Sequence, residues 1–193
     1  MINRFILATT TIFLFLIVSG CGEKFEPAFS YEIDDFTFTN QDGEEVSKSD
    51  FEGKIWIADF IFTSCDEECP QMTYNKQKVE RALQEEGIDD IEFVSFSVDP
   101  EKDSPEVLKE YGEVRGITFD HWTFLTGYEF ETIEQFARDS FKTQADQLTD
   151  TDIVHGISFF LVSPEGKAVK KYNGYLLQEE QIDEIVNDIE SMR

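Results

Sequence analysis

The chain has 193 residues, 40% of them apolar and 19 of them Phe, which suits one domain with a real core and a short appendage. Its net charge of −25 excludes nucleic acid and anionic lipid headgroups as surfaces bound through charge. Such a surface favours cations and basic protein patches, or serves solubility alone.

The first element reads as an export signal. Residues 1–4 form a short, weakly basic head, and 5–18 are an apolar run shorter than the ~20 residues a membrane-spanning helix needs. The run ends at Val18-Ser19-Gly20-Cys21, so 1–20 are predicted to be a signal peptide, and the small-residue exit into a cysteine resembles the bacterial lipobox. On that resemblance Cys21 is the lipidated first residue of the mature chain. The alternatives are a secreted protein with a free Cys21, or an uncleaved anchor. Removing 1–20 leaves 15 Lys+Arg against 41 Asp+Glu, a net −26. No later apolar run is long enough to span a bilayer. Residues 21–30 are then a tether and 31–193 the domain.

The domain begins with a predicted hairpin: Phe36-Thr37-Phe38-Thr39 alternates, Asn40-Gln41-Asp42-Gly43 is turn chemistry, and Glu44-Glu45-Val46 returns. Ser49 or Asp50 can cap a short turn before Gly53. Residues 55–62 are nearly continuous apolar residues, as in a central strand buried on both faces. Asp59 interrupts them, which reads either as an edge or partly solvated position or as a role near the thiols that follow. Helix is predicted over 71–86, strand over 91–98, and helix over 105–114 with Ser104 or Asp103 as its cap. A short strand over 122–125, a helix over 129–141, a strand–turn–strand over 158–172 and an amphipathic helix over 178–192 complete the chain. Strands alternating with helices, then a hairpin and a last helix, predict a layered α/β sandwich. There is no internal repeat.

The strand over 55–62 leads into Cys65-Asp66-Glu67-Glu68-Cys69-Pro70. Proline is tolerated at a first helical position, and helix N-terminal N–H groups favour thiolates. Two residues four apart on a helix share a face, so both sulfurs can meet one metal ion or close a disulfide. Three cysteines are an odd count for an exported chain; with Cys21 acylated, Cys65 and Cys69 are the sole pair. A bridge closing so short a loop constrains little unfolded chain, so the pair reads as redox-active or metal-binding rather than structural. The three intervening acids are expected to raise the thiol pKa, which suits thiolates stabilised by an incoming cation.

A two-sulfur site wants a third ligand, and the chain has two histidines. His155 lies in a polar, turn-prone region before the strand over 158–162; His121 precedes Trp122 at another strand start. His155 is the better candidate, because the start of its strand falls beside the active-site helix. Two thiolates and an imidazole form a soft set suited to copper and also to zinc. No proline immediately precedes 158–162, where disulfide reductases of the thioredoxin type place a cis-proline. His155-Gly156-Ile157 stands there instead, which favours metal over reductase.

From residue 36 onward the chain resembles the Sco/SenC family, thioredoxin-fold copper proteins that help assemble the dinuclear copper centre of cytochrome c oxidase. The resemblance rests on Cys65-x-x-x-Cys69-Pro70 after a Phe-Thr strand exit. Ser97-Val98-Asp99-Pro100-Glu101-Lys102-Asp103-Ser104-Pro105 is similar to a second family motif. The third is His155 ahead of Phe159-Phe160-Leu161-Val162-x-Pro164-x-Gly166-Lys167. It implies a thioredoxin-like fold with an N-terminal β-hairpin, copper held by Cys65, Cys69 and His155, and a monomeric, lipid-anchored domain on the extracytoplasmic face of the cell membrane. The implied partner is the oxidase subunit carrying the dinuclear copper site. Many members have Asp before the histidine where Val154 stands here. Asp150 or Asp152 then takes the orienting role, or the affinity differs. The same cysteines also fit a thiol–disulfide reductase that keeps the oxidase's copper-site cysteines reduced. A peroxidase fits less well, since Thr63 sits two rather than three residues before Cys65, and a disulfide sensor is not tested by the sequence. Asp99 and Asp103 read as turn former and helix cap, and the Phe excess as core.

Overall fold

The computed structural model describes residues 25–149 and 152–193, without the side chain of Asp152. The predicted signal peptide, Cys21 and Asp150 lie outside the described residues. In chain order the elements are β1 (Tyr31–Glu32), β2 (Thr37–Asn40), β3 (Glu45–Ser47), β4 (Trp56–Ile61), α1 (Glu68–Glu85), β5 (Glu92–Ser97), α2 (Pro105–Val114) and β6 (Trp122–Thr126). Then follow α3 (Phe130–Phe141), β7 (Ala145–Thr149), β8 (Asp152–His155), β9 (Ser158–Val162), β10 (Lys167–Asn173) and α4 (Glu179–Met192).

Two helical crossovers make β4, β5 and β6 parallel, because a strand can return beside its predecessor in the same direction only by a long connection. β9 joins β4 antiparallel, β10 turns back on β9 through the Pro164–Gly166 turn, and the β2–β3 hairpin pairs with β6. The sheet order is β1-β10-β9-β4-β5-β6-β2-β3, with β7 and β8 as a separate two-stranded sheet.

β4 is buried along its whole length and alternates between two cores. Ile57 and Ile61 face α1, α2 and α4, with Met72, Val79, Leu108, Ile185 and Ile189 among their cluster. Trp56, Ala58 and Phe60 face α3 and the hairpin in the second. That second core explains the Phe excess. Phe60 stacks on Phe96 at 5.5 Å, and Phe141 meets Phe60 and Phe160 edge-on at 5.4 and 5.1 Å. Each buried aromatic contributes roughly 1.5–3 kcal/mol by area alone.

Asp59 is neither an edge nor a solvated residue. It lies on the α1 side of β4, 0% exposed, and Lys76 from α1 meets its Oδ1 at 2.6 Å. The same ammonium donates to Ser95 Oγ at 2.7 Å and stands 4.7 Å from the centre of the Trp122 ring. Burial draws the Lys76 ammonium below its ordinary pKa, and the Asp59 carboxylate opposes the shift.

Other boundaries hold closely, and the departures have local causes. α1 opens at Glu68, so Pro70 is its third residue rather than its first. A first-turn N–H has no intrahelical acceptor, so proline costs no hydrogen bond there either. Ser104 caps α2, its Oγ accepting the Val107 N–H, and Asp103 takes no part in the cap. The region expected as a tether is fixed to the domain from Phe25 onward: Phe25 packs on the core, and the Ala28 and Phe29 N–H groups donate to the Val169 carbonyl. β1 and the β7–β8 hairpin carry too few apolar residues to show as strands in the sequence.

Candidate metal centre

The chain leaves β4 at Ile61 through a tight turn, in which the Cys65 N–H donates to the Phe62 carbonyl at 3.3 Å. Cys65 therefore sits in the turn before α1, not on the helix face that the four-residue spacing implied. The sulfurs converge because the turn folds Cys65 back over the helix start. Cys69, the second residue of α1, donates its N–H to Cys65 Sγ at 3.3 Å. That N–H is one of the helix's unpaired first-turn donors, so the sulfur takes a capping position.

His155 closes β8, in register with Ala145 of β7, and so belongs to a strand rather than the expected turn. Its Nε2 lies 3.3 Å from Cys69 Sγ and its Nδ1 3.1 Å from the Gly156 carbonyl oxygen. A carbonyl only accepts, so the Nδ1 proton goes to Gly156 and the Nε2 lone pair faces the sulfurs. That backbone carbonyl does for the imidazole what a preceding acid would do, with Val154 half-turned to solvent. Gly156 permits the close passage of this loop, since a Cβ there would lie 2.0 Å from Thr143 Oγ1. The Phe62 ring stands edge-on to the imidazole at 5.5 Å. Both thiols are free and buried, and the ligand atoms of Cys65, Cys69 and His155 all lie within 4.8 Å of one another.

The electrostatics run against the expectation from the three acids. Contact with the Cys69 side chain, together with the N–H groups of Cys69 and Glu67, holds Cys65 well below the ordinary thiol pKa, against burial. The same contact, with burial, pushes Cys69 up. Asp66 and Glu67 are exposed, and Glu68 Oε2, 3.6 Å from Cys65 Sγ, accepts from Cys65 when that thiol is protonated. One proton is thus shared by two sulfurs. A depressed pKa means that the thiolate persists until pH falls through the lowered value. In the metal-free reduced chain, iodoacetamide is therefore expected to modify Cys65 before Cys69, at a rate nearly flat from pH 8 to pH 6. An ordinary thiol loses about a hundredfold in thiolate over that interval. A rate that falls tenfold per pH unit across it contradicts the assignment; mass spectrometry of the labelled fragment reads it out.

The other candidates fall elsewhere. His121 precedes β6 at the end of the parallel strands opposite Cys65, its carbonyl bound by the Phe93 N–H. Asp99 lies in the loop after β5, accepting the Lys102 and Asp103 N–H groups on its carbonyl and pairing with Lys102 at 2.8 Å. Asp103 reaches the site's own turn: its carboxylate accepts from Thr63 and Ser97, a link no spacing in the sequence displays. Asp150 and the Asp152 side chain lie outside the described residues.

A protein-family model described as SCO1/SenC matches residues 26–192. The chain belongs to the SCO1/SenC family. It is 42% identical over 186 residues to the SCO1 protein homolog of Bacillus subtilis, across 96% of this chain and 94% of that one. Among solved structures, a SCO1/SenC family lipoprotein from Bacillus anthracis superposes with a TM-score of 0.81 at 37% identity, over 86% of this chain and 99% of its own. BsSco, described as having a disulfide switch and as a member of the Sco family of cytochrome c oxidase assembly proteins, gives 0.78 at 42% identity, over 86% and 95%. Arabidopsis thaliana ScoI with copper bound gives 0.71 at 28% identity, over 81% and 97%. The mixed sheet and its four helices are thus the thioredoxin-like fold of Sco proteins, with the hairpin at its N-terminal edge.

Proposed function

We propose that this chain is a copper-binding assembly protein for the dinuclear copper centre of cytochrome c oxidase, with Cys65, Cys69 and His155 as its ligands. The observation that carries the reading is the convergence of two sulfurs and one imidazole nitrogen within 4.8 Å. Two thiolates and an imidazole are a soft donor set, apt for copper in either oxidation state. The copper-bound Arabidopsis relative and the oxidase-assembly description of BsSco support it. The cargo leaves by ligand exchange, in which an acceptor's thiolate replaces Cys65, the sulfur in the turn, before the more deeply buried Cys69.

A lipid on Cys21 places the domain on the outer face of the cytoplasmic membrane. The lipobox-like exit and the lipoprotein from Bacillus anthracis support that placement. No helix among the described residues is long and apolar enough to cross a membrane. The second reading is a thiol–disulfide reductase for the oxidase's copper-site cysteines. A low-pKa thiolate at a helix start favours it, as does the disulfide switch of BsSco.

The test is copper binding to the reduced full chain in detergent, followed by electronic absorption and paramagnetic resonance, beside His155→Ala. One copper per chain with sulfur-to-copper charge-transfer bands is expected. His155→Ala should change the spectrum and weaken binding by more than the roughly 10–100-fold that loss of an outer partner costs. If copper merely oxidises the dithiol, leaves no bound metal and His155→Ala changes nothing, the copper reading fails and the reductase reading leads.

A further inference from the structure

Thr63 stands two residues before Cys65, and both of its hydrogen-bond donors go to one carboxylate. Its N–H lies 3.1 Å from Asp103 Oδ2, and its hydroxyl donates to Oδ1 at 2.5 Å. Ser97, the last residue of β5, donates its hydroxyl to Oδ2 at 2.6 Å. Asp103 is 0% exposed, so these donors take the place of water around a carboxylate. α2 needs nothing from it, being capped by Ser104.

The turn held in this way carries two parts of the site. Phe62 lays its ring against His155 and gives its carbonyl to the Cys65 N–H. Cys65 then takes the Cys69 N–H on its sulfur. Phe62 and Cys65 of this turn pack on the core, while Ser64, Asp66 and Glu67 are exposed, so it is the Thr63 hydrogen bonds that fix the backbone between the two packed residues. Asp103 comes from the β5–α2 loop, which the sheet fixes independently of the turn.

We propose that Asp103 is the positioning residue of this site: by holding both hydrogen-bond donors of Thr63, its carboxylate fixes Cys65 at the separation from Cys69 and His155 that the site's chemistry needs. The inference rests on the reading of Cys65 and Cys69 as a working pair, and it applies to copper transfer and disulfide reduction alike.

The test uses disulfide closure without copper. Glutathione disulfide accepts two electrons and two protons from the two thiols, forming the Cys65–Cys69 bond and releasing two glutathione molecules. The full chain in detergent is equilibrated with glutathione buffers, and the fraction closed is read by mass on the proteolytic fragment holding both cysteines. Asp103→Ala is expected to lower the closure constant about tenfold or more, given how steeply paired reactivity falls with misplacement. Asp103→Asn, which keeps an acceptor for Thr63, should stay within about threefold of the parent, and Thr63→Val should fall between the two. Asp103→Ala and Thr63→Val both within about twofold of the parent overturn the proposal, as does Asn behaving like Ala. If circular dichroism shows that Asp103→Ala does not fold, Thr63→Val decides by the same criterion. No copper enters this equilibrium, so its failure leaves the copper reading standing, and failure of the copper titration leaves this result standing.

Discussion

Cys65→Ser and Cys69→Ser are each expected to reduce copper affinity by more than about a hundredfold, and the double variant to retain no copper. A serine hydroxyl has nearly the shape of the thiol but stays protonated at neutral pH and is a hard donor, so it fills the site without replacing the ligand. Because the shape is kept, neither variant should lower the melting temperature by more than a few degrees. The two cysteines differ in what they release. The pKa of Cys65 is lowered by its contact with Cys69, while that of Cys69 is raised by the same contact and by burial. Copper uptake at pH 7 should therefore release about one proton per chain, not two, measured with an indicator in weak buffer. The assignment is wrong if either single variant keeps stoichiometric copper with an unchanged spectrum. Release of two protons would mean that the sulfurs do not share one.

The second large effect lies in the core. Asp59→Asn and Lys76→Met are each expected to cost about 3–5 kcal/mol, because each leaves the other charge buried without its partner. For a domain of this size that lowers the melting temperature by about 6–20 °C. The partner ammonium and carboxylate are both 0% exposed, and Asp59 Oδ2 already lacks a hydrogen-bond partner among the described residues. The double variant Asp59→Asn/Lys76→Met should recover most of the loss, since a buried ion pair is worth little against neutral groups of similar volume. Denaturant titration of the four proteins closes the cycle. Single losses below about 1 kcal/mol, or a double variant as weak as the sum of the singles, would show that the pair does not act as a unit.

What the sequence made legible follows from local physics. The apolar run into Cys65 and Cys69 announced a buried strand, a turn and a helix, because strand burial and helix initiation depend on neighbouring residues. Ser104-Pro105 marked the start of α2 for the same reason. His155 was legible as a ligand candidate from its place before β9. The β8 strand that holds it was not, since Asp152-Ile153-Val154-His155 is too short and mixed to show a period, and only pairing with β7 makes it a strand. Asp59 stood out as a polar residue in an apolar run, but Lys76 as its partner did not. The two meet because β4 and α1 pack face to face, a fact of layer geometry. The acids between the cysteines misled about the thiols: sequence adjacency put three charges beside them, while the turn sent Asp66 and Glu67 to solvent and aimed the Cys69 N–H at Cys65.

The sequence by itself determined the two thiols, the strand–helix alternation, the acidic surface and the family, all of which are written in contiguous residues. The tertiary structure alone decided which nitrogen of His155 faces the sulfurs, that the Cys69 N–H is aimed at the Cys65 sulfur, that Asp103 grips the Cys65 turn, and that Asp59 is paired. Each of these depends on atoms brought within a few ångströms from distant parts of the chain, and hydrogen bonds and desolvation act only at that range.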